Sequence, residues 1–376
     1  MTNQNYEYRL NQPRRILFGA NVSNCLCDEL PEAVKSVLLV TGTHLVTDGT
    51  AERIEKMIRD SGRSVFTISG VAAEPPLEDV DRVVISGRAF HAEAVVALGG
   101  GSVIDTGKAA AALIPLDGQC ADYFFGKKTI PGKGAFFAAL PTTAGTGAEM
   151  TSNSVLTDTA TQVKKSLRSP FMAADAALVD PVLTYSCSPG VTAASGLDAF
   201  VQSVEAYTNP KGSAYTKSLA LSALKKIYFN LRTAYREPRN ETARSEVAEG
   251  SMLAGMAFAP CGLGGVHGIA HPLGALLHVP HGIACAVLMP SVFRFNMAET
   301  DYSEVAKSIG CATTEEFIVA TQKLLSDLNV PEHFQAYGLH SNHFDFILKN
   351  CRSGSMKTNP RMMTDEDVIS ILKRLM

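Results

Sequence analysis

Residues 94–108 read AVVALGGGSVIDTGK: an uncharged apolar run that passes straight into three glycines and a serine and then into a helical pattern. A buried strand followed at once by a tight turn and a helix is the unit from which parallel sheets with crossover helices are built. The exposed amides at such a helix start, with its dipole, suit a pyrophosphate, and glycine lets ligand and backbone approach. A turn with no ligand remains open on this stretch alone, and the ordinary GxGxxG fingerprint after the first strand is absent.

Working outward, Ser36–Val40, Ser64–Ile68, Ala135–Ala139 and Ala176–Val179 also read as buried strands, and helical spacing is expected around Thr50–Arg63 and Leu77–Phe90. The stretch PTTAGTGAE, 141–149, follows another strand and sets three threonine hydroxyls among two glycines. Such a loop offers donors to phosphate and to a nicotinamide ribose or amide, with a plain polar loop as the alternative. After Pro181 the texture changes to long Ala/Leu/Met-rich segments of helical period. The expected organisation is therefore an α/β dinucleotide-binding domain over 1–183 and an all-helical domain over 184–376, with the junction near 181–190.

The whole chain has 376 residues, 46% hydrophobic and 19% charged, with a net charge of −3, which fits a two-domain globular enzyme and not a polyanion-binding or disordered chain. No partner nucleic acid is expected. The opening MTNQNYEYRLNQPRR shows neither an apolar core nor a cleavage site, so a cytoplasmic location is expected. Eight cysteines without CxxC spacing read as reduced thiols.

From Gly250 to Phe293 there is no Asp, Glu, Lys or Arg. Pro260, Pro272, Pro280 and Pro290, with four histidines, break every window long enough to span a membrane, so buried helices lining a site are expected and no membrane partner. His267, His271, His278 and His281 fall within fifteen residues of this run. Burying imidazoles there is costly unless they are hydrogen-bonded or hold a metal. His267 and His271, four apart, share a helix face, and a turn at Pro280 can return His281 towards it. Asp198 lies earlier among apolar neighbours; a carboxylate and two imidazoles suit Fe²⁺ or Zn²⁺. Core histidines with local hydrogen-bond partners stand as the rival reading.

Taken together, RILFG at 15–19, GGGSVIDTGK at 99–108, PTTAGTGAE at 141–149, Val179-Asp180-Pro181, GLDAFVQSVEAY at 196–207, HGIAHPLGALLHVPHG at 267–282 and Thr358-Asn359-Pro360-Arg361 resemble the iron-containing (group III) alcohol dehydrogenase family, in order and spacing, over roughly 12–370. The resemblance implies a dehydroquinate synthase-like fold and an oligomer of two or more identical chains, with the N-terminal extended segment as a contact. It implies NAD or NADP as cofactor, with Gly100, Gly101 and Ser102 at the pyrophosphate, Thr142, Thr143 and Thr146 touching the cofactor, and Asp105 and Lys164 on the cofactor side. Asp198, His267 and His281 match metal ligands, His271 matches the histidine beside the nicotinamide, and Asn153 and Phe258 match substrate-pocket positions.

Two positions depart from the family's pattern. Gln202 stands where a fourth ligand, histidine, is usual, which leaves three strong protein ligands, as in the glycerol dehydrogenase branch, and a weaker amide oxygen. Gly42 stands where many NAD-using members carry the aspartate that binds the ribose diol, so nothing there repels a 2′-phosphate and NADP is slightly favoured. The implied reaction interconverts a small primary or secondary alcohol and its aldehyde or ketone by hydride transfer, with Asp198, His267 and His271 as its catalytic set. A metal-free reductase of the maleylacetate reductase type, or a binding protein that kept the fold without turnover, are the alternatives.

Overall fold

The computed structural model describes residues 8–161 and 163–376. Residues 1–7 of the N-terminal segment expected as an oligomer contact lie outside the described residues. The chain divides into an α/β unit, Asn11–Thr143 with Gly147–Tyr185, and a helical unit that includes Ala144–Thr146 and Ser186–Met376.

In the α/β unit eight strands are found among the described residues: β1 Arg15–Phe18, β2 Ser36–Thr41, β3 Ser64–Ile68, β4 Ala94–Gly99, β5 Phe136–Pro141, β6 Asn153–Asp158, β7 Val163–Arg168 and β8 Ala176–Val179. Six form a parallel sheet in the order β1-β8-β5-β4-β2-β3. The expected strands at 36, 64, 94, 135 and 176 are all present, and the expected helices appear as Thr50–Asp60 and Leu77–Ala89. The inner strands β2, β4, β5 and β8 are covered on both faces, so they are apolar at nearly every position rather than at alternate ones. Leu38, Val40, Val95, Ala97 and Phe137 pack towards Val80, Val84 and Ile104. Their sequence neighbours Val37, Leu39, Val96, Leu98 and Ala138 point the other way, towards Leu26, Ile54 and Ile58.

Strand order reverses between β2 and β4, because the chain runs from β2 to β3 on one side and then crosses back to add β4, β5 and β8 on the other. That switch point is where open α/β sheets bind ligands, beyond the carboxyl ends of the strands. Gly42 follows β2 and Gly100–Ser102 follow β4 at this place.

The antiparallel hairpin β6–β7 was not legible as strands. Its docking explains two charged residues in the glycine-rich helix Gly101–Leu113. Asp105 accepts the Val155 amide at 2.9 Å, and Lys108, fully buried, donates to the carbonyls of Ala148 at 2.6 Å and Asn153 at 2.7 Å and to Thr151 Oγ1 at 3.0 Å. A 3.3 Å contact between Lys108 Nζ and Asp105 Oδ1 compensates both buried charges.

The helical unit is built on Pro189–Thr208, Ala214–Arg236, Glu241–Cys261, Gly265–Leu277, His281–Asn296 and Thr314–Asp327, with Asp365–Arg374 near the end. Serine or asparagine starts the first three: Ser188, Ser213 and Asn240 accept the amides of Val191, Thr216 and Ala243. Phe200, Phe293 and Phe317 fill the core with near-parallel rings 6.1 and 6.4 Å apart. Within the charge-free run, no single helix is long and apolar enough to cross a membrane; the pair Glu241–Cys261 and Gly265–Leu277 passes by composition together but is bent by 102°. All eight cysteines are free thiols.

Candidate metal centre and nucleotide-binding turn

At the switch point, Gly99 pairs with Pro141, so the turn after β4 and the one after β5 start side by side. The Thr142 amide donates to the Gly99 carbonyl at 3.0 Å. Thr143 lies so near Gly100 that a Cβ there would stand 3.4 Å from its side chain, and a Cβ at Gly99 would strike Val103 at 2.6 Å. Gly99 and Gly100 thus lie beside Thr142 and Thr143 within the α/β unit, although some forty residues separate them in sequence. Ser102 is half-buried and its Oγ accepts the Glu74 amide at 3.2 Å. Lys164, on β7, pairs with Glu74 at 2.7 Å. Asp105 is committed to Lys108 and Val155 as described, and Asn153 donates to Ser166 Oγ at 3.3 Å. Thr146 belongs to the helical unit and is exposed.

The second constellation lies wholly in the helical unit. Asp198 sits mid-helix in Pro189–Thr208, His267 in the first turn of Gly265–Leu277, and His281 opens His281–Asn296. Gly282 makes their approach feasible, because a Cβ there would lie 1.9 Å from the Ala194 carbonyl oxygen. The return between the last two helices runs through His278, an exposed residue in the left-handed region at φ 54°, which is a turn residue and not part of the cluster.

His267 Nε2 is 3.2 Å and His281 Nε2 3.8 Å from Asp198 Oδ1. His271 stacks on His281 with centroids 5.1 Å apart. Asp198, His267, His281 and Cys285 each offer a donor atom, all within 4.8 Å of one another. Gln202, one turn after Asp198, is buried, and its Oε1 has no hydrogen-bond partner. Phe258 is half-buried against the small cluster of Ala206, Ala220, Ala257 and Cys261.

Two members of this site escaped sequence reasoning. Glu205 is buried and accepts from the amides of Gly264 at 2.9 Å and Val266 at 2.7 Å, and lies 2.6 Å from His267 Nδ1. Its signal was its place seven residues, two helical turns, after Asp198. Cys285 lies four residues after His281, a spacing as informative as that of His267 and His271. Without a metal, burial works against a charged His267, yet the acidic groups Cys285, Glu205 and Asp198 more than offset it and hold its pKa well above the usual imidazole value. Burial pushes the Cys285 thiol up to about 11, with His267 pulling the other way.

The residues present fit a divalent ion. Acidic, imidazole and thiol donors converge, and a buried amide oxygen nearby lacks any partner, which is costly unless something else satisfies it. A parallel-sheet nucleotide turn in one unit and such a donor cluster in the other define the class: a nicotinamide-dependent, metal-assisted oxidoreductase.

Family models place the chain more narrowly. Residues 13–181 match the iron-containing alcohol dehydrogenase model, and residues 192–376 match the model for the C-terminal part of that family. The chain is 34% identical to long-chain-alcohol dehydrogenase 1 of Geobacillus thermodenitrificans, over 90% of this chain and 88% of the relative. It is 31% identical to an NADPH-dependent butanol dehydrogenase of Clostridium saccharobutylicum, over 97% of each. The crystal structure of a 1,3-propanediol oxidoreductase superposes with a TM-score of 0.94 at 30% identity, covering 98% of this chain and all of the other. The protein belongs to the iron-containing alcohol dehydrogenase family. It is an NAD(P)-dependent, divalent-metal-dependent alcohol dehydrogenase or aldehyde reductase.

Proposed function

We propose that this enzyme interconverts neutral, small primary or secondary alcohols and their carbonyl forms, with Asp198, His267 and His281 holding the metal and His271 carrying the proton. When bound, the ion supplies Lewis-acid polarisation of the substrate oxygen and the nicotinamide supplies the hydride acceptor or donor. Asp198 provides fixed negative charge beside two imidazoles. Glu205 holds the Nδ1 side of the His267 ring, which directs Nε2 towards Asp198. His271, half-buried and stacked on His281, can accept a proton from an alcohol or return one to a forming alkoxide. The absence of any charged side chain from Gly250 to Phe293 favours neutral substrates, because no fixed cation there would pair with an acidic one.

On the nucleotide side, the amides of Gly100, Gly101 and Ser102 suit the pyrophosphate, with Thr142, Thr143 and Thr146 as further contacts and Lys164 and Asp105 behind them. Gly42 favours NADP(H) at least as much as NAD(H), since no carboxylate there opposes a 2′-phosphate. Assembly as a homodimer or larger homo-oligomer belongs to the same reading, and sedimentation at micromolar concentration tests it.

The observation that carries the reading is the four-donor cluster in which Asp198 meets His267, His281 and Cys285 of the charge-free helical segment. Its test is nicotinamide absorbance with a panel of alcohols and aldehydes and both cofactors, before and after chelation, with elemental analysis of the purified protein. Turnover that requires the metal is expected. Turnover that survives complete metal removal would displace this reading.

A further inference from the structure

We propose that Cys285 is a direct ligand of the metal, filling the coordination position that Gln202 leaves weak, and that the site is thereby matched to zinc rather than iron. The inference rests on the metal-dependent reading above and adds a residue and an ion to it.

Cys285 is fully buried in the first turns of the His281–Asn296 helix, one turn beyond His281, so both side chains leave the same face. Its Sγ lies 3.7 Å from His281 Nε2. Two other buried thiols turn back on their own helices: Cys261 bonds to the Ala257 carbonyl at 3.3 Å and Cys351 to that of Leu348 at 3.5 Å. Cys285 faces the imidazole cluster instead.

Spacing agrees with a shared ion. A tetrahedral zinc with N and O ligands at about 2.0–2.1 Å and S at about 2.3 Å separates its ligands by roughly 3.3–3.8 Å. Here Asp198 and His267 are 3.2 Å apart, Asp198 and His281 3.8 Å, and His281 and Cys285 3.7 Å, and the remaining pairs lie within 4.8 Å, so the four donors need close in by only about an ångström or less to share an ion.

Charge favours the same set. Among the groups that would touch the ion only Asp198 is an anion, because Glu205 bonds the far nitrogen of His267 and stands behind that ring. A thiolate adds a second anion in direct contact with the ion, its proton leaving to water as the ion enters. A thiolate is also a soft ligand, and affinity at mixed N, O and S sites is higher for zinc than for ferrous iron. Gln202 then serves as a neighbouring carbonyl and not as the fourth strong ligand.

The test uses the whole protein, stripped by chelation and reloaded with zinc or cobalt. Zinc-edge X-ray absorption should show one sulfur at about 2.3 Å beside nitrogen and oxygen at about 2.0–2.1 Å. In Cys285→Ser the sulfur shell and the thiolate-to-cobalt charge-transfer band should vanish while the nitrogen and oxygen shell persists, and zinc should leave at least about tenfold faster under a competing chelator. Gln202→Ala should keep the sulfur shell. A nitrogen and oxygen shell alone in the native zinc protein overturns the ligand assignment but leaves the metal-dependent enzyme standing, and needs no variant to fold. Native protein that takes up no divalent ion overturns both. Preferential retention of iron over zinc in direct competition overturns the choice of ion.

Discussion

Glu205 Oε2 lies 2.6 Å from His267 Nδ1, and the same carboxylate takes the amides of Gly264 and Val266. One buried anion therefore does two jobs. It compensates the positive end of the Gly265–Leu277 helix, and it fixes the ring of the histidine on that helix's first turn. Asn359, from the Thr358–Arg361 segment, completes the support by accepting the Gly265 amide at 2.8 Å. The donor cluster of Asp198, His267, His281 and Cys285 is thus anchored, through His267, by residues outside it.

Replacing that charge tests the anchoring. Glu205→Gln keeps the shape but weakens the hold on His267, so metal affinity should fall about 10–100-fold, the usual cost of losing an outer partner of a ligating histidine. Competition titration with a chelating dye reads this directly. Native-like affinity in a folded Glu205→Gln protein would mean that His267 is oriented by other contacts.

His267→Ala removes one of the proposed ligands outright. Both bound metal and turnover should be lost, while His278→Ala, at the exposed turn, should leave them unchanged. Elemental analysis and the nicotinamide assay check the pair. Full activity of His267→Ala in strong chelator would move the enzyme to the metal-free reductase alternative.

Sequence legibility followed burial. Strands β2, β4, β5 and β8 are covered on both sides, so unbroken apolar runs betrayed them. The hairpin β6–β7 did not show itself, since NSVLTD and VKKSLR mix polar and apolar residues and owe their place to Asp105 and Lys108 on a distant helix. Likewise, Asp198, His267 and His281 were readable because polar residues stand out among apolar neighbours, whereas Cys285 passes for an ordinary core thiol. Glu205 was hidden for another reason: its partners lie about 60 residues further on, and only folding shows that they converge.

Glu149 gives a pH test in the α/β unit. Burial pushes its carboxyl from 4.5 up to about 7, with its own backbone amide and Lys108 pulling it down. The folded state therefore binds a proton more tightly than the unfolded one. The resulting stability is fully present below pH 4.5 and is lost as pH rises through 7. Glu149→Gln cannot ionise, so its stability relative to the native protein should rise between those values and level off above them, by up to about 3 kcal/mol. Guanidinium midpoints at pH 5, 6, 7 and 8 measure the trend. A difference that does not change with pH would show that Glu149 titrates normally.

Cofactor choice turns on Gly42. Its backbone, at φ −87° and ψ 160°, is ordinary extended conformation, and an added Cβ would meet nothing nearer than Val103 Cγ2 at 3.9 Å. Glycine is thus not required there by strain or by crowding, and an aspartate can be introduced without displacing its surroundings. Placed after β2 at the strand-order reversal, a carboxylate would accept hydrogen bonds from a ribose diol and repel a 2′-phosphate. Gly42→Asp should therefore lower kcat/KM for NADPH by about tenfold or more, equivalent to at least about 1.4 kcal/mol, while NADH loses less or gains. Steady-state kinetics with both cofactors on native and variant protein read the ratio. Equal losses with the two cofactors would mean that residue 42 does not face the ribose, and a strong native preference for NADH would mean that the missing carboxylate is replaced by some other group that rejects the phosphate.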